Sequence, residues 1–204
     1  MTEDEARAWI RERFGAEGEG AMARFADLVI DESARQNLIA PSTLDTIWSR
    51  HIVDSAQLIG LAAESEGDWL DIGTGAGFPG LVVAALTTRR AILVEPRKRR
   101  VEFLQSAAEA LGIADRVSVV ASKVESVNEP VAVISARAVS YLGSLFTSAV
   151  QCSRRKTIWI LPKGRTAREE VAVAEQTWHG VFHVEQSITD PESLIVLAKG
   201  VSRR

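Results

Sequence analysis

Asp71-Ile-Gly73-Thr-Gly75-Ala-Gly77-Phe78-Pro79-Gly80 is the stretch that decides the fold. An apolar strand from Trp69 to Ile72 runs into three alternating glycines, and Leu81 to Leu86 opens an apolar helix behind them. Glycines at this spacing let the backbone turn sharply and approach a ligand that a Cβ would push away. The helix that follows offers free N–H groups and the positive end of its dipole. Pro79 suits a first helical turn, where a missing N–H costs nothing. The stretch reads as a cofactor loop.

Two cofactors compete for it. Gly75-x-Gly77-x-x-Gly80 satisfies the dinucleotide fingerprint, and Glu95 ends the next strand about 20 residues on, where an acid would hold ribose hydroxyls. Asp71-x-Gly73-x-Gly75-x-Gly77 is equally the pattern of S-adenosylmethionine (SAM) methyltransferases, in which an acid before the loop organises the cofactor's amino-acid end directly or through water. A glycine turn in an ordinary α/β domain is the bland alternative.

The bounds are those of a soluble globular protein: 204 residues, 46% apolar, mean hydropathy +0.03. That length fits one large domain, or one domain with an extension. Leu81–Leu86 is far too short to cross a bilayer. The start Met1-Thr2-Glu3-Asp4-Glu5 is the opposite of a basic signal-peptide region, and one cysteine allows no internal disulfide. A cytoplasmic monomer without membrane attachment is expected. Three scattered histidines and one cysteine give no metal-ligand spacing.

The net charge of −3 conceals a split. Residues 1–66 carry 13 acidic and 6 basic residues, net −7, whereas residues 67–204 carry 14 and 18, net +4. Basic clusters stand at Arg89-Arg90, Arg97-Lys98-Arg99-Arg100, Arg154-Arg155-Lys156 and Lys163-Gly164-Arg165. Such patches attract a polyanion through counterion release, although solvated helix ends give the same pattern.

Residues 1 to about 65 read as helical, with Trp9, Ile10, Phe14, Met22, Phe25, Val29 and Leu38 at helical spacing. Gly15, Gly18 and Gly20 are expected to break a first segment from a second, and Pro41-Ser42-Thr43 the second from a third over 44–63. From Asp68 the rhythm changes. Strands at 69–72, 91–95, 117–121, 131–135 and 157–161 alternate with helices at 80–87, 97–111, 140–151 and 166–177. This alternation implies a parallel sheet with right-handed crossovers. Val181–Ile188 and Ser193–Lys199 then form a closing antiparallel hairpin, which fits a methyltransferase sheet better than a dehydrogenase. The domains expected are a helical extension (1–66) and a Rossmann-like α/β methyltransferase domain (67–204).

The fourth strand ends in Ser135-Ala-Arg137, at the carboxyl edge where open α/β sheets place substrates. Amino-group methylation would place Asn/Asp-Pro-Pro-aromatic there, and cytosine C5 methylation needs a cysteine nucleophile. Cys152 lies at a helix end and reads as packed. Arg137 can hydrogen-bond a base edge, a phosphate or a cofactor carboxylate. Upstream, Arg50-His51-Ile-Val-Asp54 places His51 and Asp54 on one helix face.

Taken in order, Asn37-Leu, Arg50-His51-Ile-Val-Asp54-Ser55, the Asp71–Gly80 loop, Lys98-Arg99-Arg100-Val-Glu-Phe-Leu104, Val124-Glu125, Ser135-Ala-Arg137-Ala and Leu161-Pro-Lys163-Gly164 resemble the bacterial small-subunit rRNA guanine-N7 methyltransferases, the RsmG or GidB family. The resemblance spans roughly residues 37 to 200. It implies a class I SAM methyltransferase fold and methylation of N7 of a guanine in the decoding-centre loop of 16S rRNA, free or in a small-subunit particle. Carried over by position, Gly73 and Phe78 would contact the cofactor, Val124 and Glu125 would lie at its adenine side and Arg137 would line the site; the loop's own spacing adds Gly75 and Gly77, and the strand-end acid Glu95, as cofactor residues. Arg50, His51, Arg137, Lys163 and Arg165 would meet the substrate, with Arg137 and Lys163 in the catalytic pocket. Glu95-Pro96-Arg97 departs from the Asp-Ser-apolar of many relatives but keeps the carboxylate. Guanine N7 has a lone pair and no proton to lose, so no general base is expected. The alternatives are a SAM methyltransferase of small molecules or proteins, and a nicotinamide-dependent oxidoreductase.

Overall fold

The computed structural model describes residues 1–204. Helix α1 (Glu3–Ser33) begins with a reciprocal cap, in which the Thr2 side chain accepts from the Glu5 N–H and the Glu5 carboxylate accepts from the Thr2 N–H. Of the three glycines expected to break it, only Gly15 leaves helical geometry, at φ 73°. Gly18 and Gly20 stay helical. Gly18 is buried where the Leu86 side chain comes close, so packing outweighs the cost of about 1 kcal/mol for a glycine in a helix.

The third helical segment is three pieces rather than one: a 3-10 turn (Pro41–Thr46), a π-helical turn (Trp48–Val53) and α2 (Asp54–Leu61). Glu3 from the start of α1 accepts from the N–H groups of Trp48 and Ser49, both at 2.9 Å, and so caps the π-helical turn. A carboxylate 45 residues away in sequence is invisible to local periodicity.

Alternation of strands and helices follows from residue 69: β1 (Trp69–Ile72), α3 (Gly80–Leu86), β2 (Ala91–Val94), α4 (Lys98–Ala110), β3 (Val117–Val120), β4 (Val133–Ala136), α5 (Leu142–Ala149), β5 (Ile158–Lys163), α6 (Ala167–Ala174), β6 (Trp178–Gln186) and β7 (Leu194–Arg203). The sheet order is β3-β2-β1-β4-β5-β7-β6. The first five strands run parallel, and β7 enters antiparallel between β5 and β6. β1, β2 and β4 are buried on both faces, as strands covered by helices on each side must be. The expected fourth strand, 131–135, lies at Val133–Ala136, because Val131 and Ala132 instead bond to Cys152 and Asp68. Cys152 is buried, its thiol donating to the Val127 carbonyl, and burial pushes its pKa up.

On one face of the sheet a single apolar cluster joins Ile10, Met22, Phe25 and Val29 of α1 to Leu81 of α3, Leu93 of β2 and Leu104 of α4. The N-terminal helices therefore share a core with the sheet. No helix is long and apolar enough to cross a membrane.

Candidate active site at the carboxyl edge

β2 and β3 lie to one side of β1, and β4 and β5 to the other. The strand order reverses between β1 and β4, where an open α/β sheet leaves its ligand crevice. In that register Asp71 stands level with Ser135.

Asp71 is fully buried. Its carboxylate accepts from the Gly80 N–H at 3.0 Å, the Ser135 hydroxyl at 2.7 Å and the Thr74 hydroxyl. Burial pushes its pKa up to about 6, against the lowering effect of those bonds and of Arg137. Both oxygens are engaged by the chain, so the group fixes the shape of the loop. Gly73, Gly75 and Gly77 have φ of 63°, 59° and 96°, so the cradle is closed to ordinary side chains. A Cβ at Gly75 would lie 3.3 Å from the Arg100 guanidinium. Gly77 faces the other way, where a Cβ would meet Leu81 and Phe25, and it packs the loop on α1.

Two cavities open at this edge. The first, ≈ 370 Å³, is bounded by the loop from Gly73 to Ala76 and by Phe78, His51, Arg100 and Arg137. The second, ≈ 450 Å³, is bounded by Val139, Tyr141, Lys163 and Glu170. Both fall in the range of roughly 300–1,000 Å³ typical of small-ligand sites. They share Asp54, Arg137, Ala138 and Ser193, so the Arg137 side chain stands between them. Ala138 adopts φ 55°, a strained conformation for a residue with a Cβ, and Val139 beside it covers Gly73.

Arg137 is held on several sides. Its guanidinium lies 5.2 Å over the Phe78 ring and donates to His51 Nδ1 at 2.8 Å and to the Arg50 carbonyl at 3.1 Å. It also pairs with Asp54 at 3.4 Å. His51 and Asp54 thus share a helix face, as their spacing predicts. His51 stacks on Phe78 with centroids 5.1 Å apart, and Phe25 packs on the same ring at 5.0 Å. Burial, then the cations of Arg137 and Arg50, push the His51 pKa down to about 3, so the imidazole is neutral.

Glu95 is buried at the end of β2, accepting from the Gly75 N–H at 3.1 Å and the Arg97 N–H at 3.0 Å. At 3% exposure the carboxylate lies behind the loop rather than on the lining of either cavity. Arg50 lines the first cavity with its guanidinium tied to Asp190 at 2.6 Å. Lys163 lines the second, tied to Glu170 at 2.8 Å and to the Ser140 carbonyl. The remaining expected residues do not converge on the cavities. Arg165 is exposed and paired with Glu192, Val124 is in the apolar core, and Glu125 is exposed. Thr43, Thr74, Arg100, Thr189 and Ser193 line the first cavity without having been expected there. Of these, Thr74 sits inside the glycine loop and Arg100 in a basic run; the others carried no signal.

The basic clusters separate by sheet edge. Arg97–Arg100 follow β2 and Lys163–Arg165 close β5, both at the carboxyl edge. Arg89-Arg90 and Arg154-Arg155-Lys156 precede β2 and β5, at the opposite edge. There Arg89 donates to the carbonyls of Ala62, Ser65 and Gly67, and Arg90 pairs with Asp68 and Glu129. These two arginines tie the loops of the amino edge together.

Against this geometry, residues 19–192 match the family model GidB, described as rRNA small subunit methyltransferase G. The chain belongs to this family. It is 46% identical, over 100% of its own length and 95% of the relative's, to ribosomal RNA small subunit methyltransferase G of Rhizorhabdus wittichii. It is also 46% identical to the protein of that name from Novosphingobium aromaticivorans, over 98% and 89%. Among solved structures it resembles an O-methyltransferase from Bacillus cereus in complex with SAH, with TM-score 0.59, 16% identity and coverage of 86% and 90%. The fold is that of the Rossmann-like class I SAM methyltransferases, and the glycine loop is read accordingly rather than as a nicotinamide site.

Proposed function

We propose that the chain transfers the methyl group of SAM to N7 of a guanine in the decoding-centre loop of 16S rRNA, with the cofactor in the first cavity and the guanine in the second. Membership in the family makes it a SAM-dependent methyltransferase of small-subunit rRNA. The observation that carries the finer reading is the pair of cavities meeting at Arg137.

The first cavity fits the cofactor because its positive-φ loop supplies close backbone approach and Leu38, Ile39 and Phe78 supply an apolar wall, with the Glu95 carboxylate behind the loop at the Gly75 N–H. Gly73, Gly75 and Phe78 would hold it there, with Glu95 bracing the loop from behind. Bound SAM supplies a methyl group on a cationic sulfur. Transfer to N7 would break the carbon–sulfur bond and leave its electron pair on sulfur. Nothing in the site has to accept a proton, so the chain's task is alignment. N7 must stay free, which leaves O6 as the acceptor for the Arg137 fork. Tyr141, 74% exposed at the mouth of the second cavity, offers a ring face for the base. Lys163 lines the same cavity and would meet O6 or a phosphate once its link to Glu170 loosens. Residues 1–66 form an extension that completes the cofactor cavity, and the enzyme acts as a cytoplasmic monomer.

The test is mapping of N7-methylguanine in 16S rRNA from cells with and without the gene, by reverse transcription after reductive cleavage. Loss of one modified guanine in the decoding-centre loop is expected. A modification pattern that does not change would overturn the reading.

A further inference from the structure

The contacts around His51 form a chain in which every donor and acceptor is fixed. Arg137 can only donate, so His51 Nδ1, 2.8 Å from its Nη2, must be an unprotonated acceptor. At the other end Thr43 donates its hydroxyl to the Ala40 carbonyl at 2.8 Å, leaving its oxygen to accept. His51 Nε2, 2.8 Å from that oxygen, therefore carries the ring proton. The ring stacks on Phe78, and the π-helical turn that carries it is capped by Glu3.

We infer that His51 is a positioning residue: as a neutral imidazole with its proton on Nε2, it holds the Arg137 guanidinium between the two cavities through Nδ1. The proposal rests on the reading of Arg137 as the group that orients the base. Asp54 supplies Arg137 with charge, and the Arg50 carbonyl supplies a third acceptor. Only His51 spans from Arg137 to the Pro41–Thr46 turn, so it ties the guanidinium to the wall of the cofactor cavity. A protonated imidazole would lose the acceptor and set a second cation against Arg137. The burial and neighbouring cations that keep the ring neutral therefore serve the contact.

Two substitutions separate this role from a structural one. Asparagine places an amide oxygen near the position of Nδ1, and glutamine places its amide near that of Nε2. His51→Asn keeps the acceptor for Arg137 and loses Thr43, while His51→Gln keeps Thr43 and loses Arg137. At saturating SAM and small-subunit particles, H51Q should lower the single-turnover methylation rate by about tenfold, with H51N within about threefold of wild type and SAM affinity little changed in both. In an Arg137→Ala background H51Q should cause no further loss, because the two act as one unit. Nitrogen-15 shifts of the imidazole should show Nε2–H at about pH 6. H51N and H51Q losing activity equally, H51Q lowering the R137A rate by its full factor, or an imidazolium at about pH 6 would each overturn the positioning role while leaving Arg137 in place. R137A at the wild-type rate would overturn the base-orienting role and this proposal together.

Discussion

At Gly75 the backbone has φ 59° and its N–H is directed at Glu95, so the residue serves the loop's shape and the cofactor cavity at once. A β-branched side chain is least tolerant of that conformation and would also crowd Arg100. Gly75→Val should abolish SAM binding by calorimetry while far-UV circular dichroism stays near wild type; normal affinity would move the cofactor elsewhere. Asp71 carries a different signature. Its native pKa of about 6 lies above the 3.8 of an ordinary aspartate, so between those values the folded protein keeps a proton that the unfolded chain has released. Stability is therefore lost as pH rises through that window, by on the order of 3 kcal/mol when complete. Asp71→Asn, whose amide oxygen can keep the Gly80 N–H and the Thr74 hydroxyl while its NH2 donates to a reoriented Ser135 hydroxyl, should lack that slope. Urea midpoints at about pH 4.5 and 7.5 should show the variant gaining on wild type at the higher pH, and a constant gap would mean that the carboxylate is comfortably ionised in place.

On the scale of elements, the two ends of the strands divide the basic residues. The first turn of α4 presents Lys98, its side chain 91% exposed, and Arg97 precedes it, both on the edge that carries the cavities. Arg154, Arg155 and Lys156 line a groove at the far edge with Glu64, Glu66 and Asp68, where acids offset them. RNA entering the second cavity should feel the first group and not the second. Reversal of both charges in Arg97→Glu with Lys98→Glu should weaken RNA binding and reduce the slope of log affinity against log salt by about 1 to 2. Arg154→Glu with Arg155→Glu should leave both within error. Filter binding across a salt series distinguishes them, and equal losses would mean that RNA wraps to the amino edge. The β6–β7 hairpin contributes in a way its own sequence does not announce. Its turn carries Asp190 to Arg50, and Ser187 and Thr189 to Asp54, so a terminal hairpin braces the helix that holds Arg137.

For the whole molecule, the core shared by α1, α3 and α4 makes the N-terminal helices inseparable from the sheet. Phe25 is fully buried there and backs Phe78, the ring on which His51 and Arg137 rest. Phe25→Ala should cost about 3–5 kcal/mol and lower SAM affinity as well, and calorimetry of the wild type should show one unfolding transition. Two separate transitions would mean that residues 1–66 fold as an independent unit. The sequence by itself determined what is local or repeated. A strand followed by alternating glycines, the alternation of short apolar strands with helices, and a terminal pair of strands specified the sheet, the cofactor loop and the family pattern, because periodicity and glycine spacing act over a few residues. Tertiary structure alone decided the rest. Arg137 meets His51 across 86 residues and Asp71 meets Ser135 across 64, while Glu3 caps a turn 45 residues on. Such pairings depend on how the packed helices set the strand ends, and so does the sheet edge to which each basic cluster comes. No local preference encodes either.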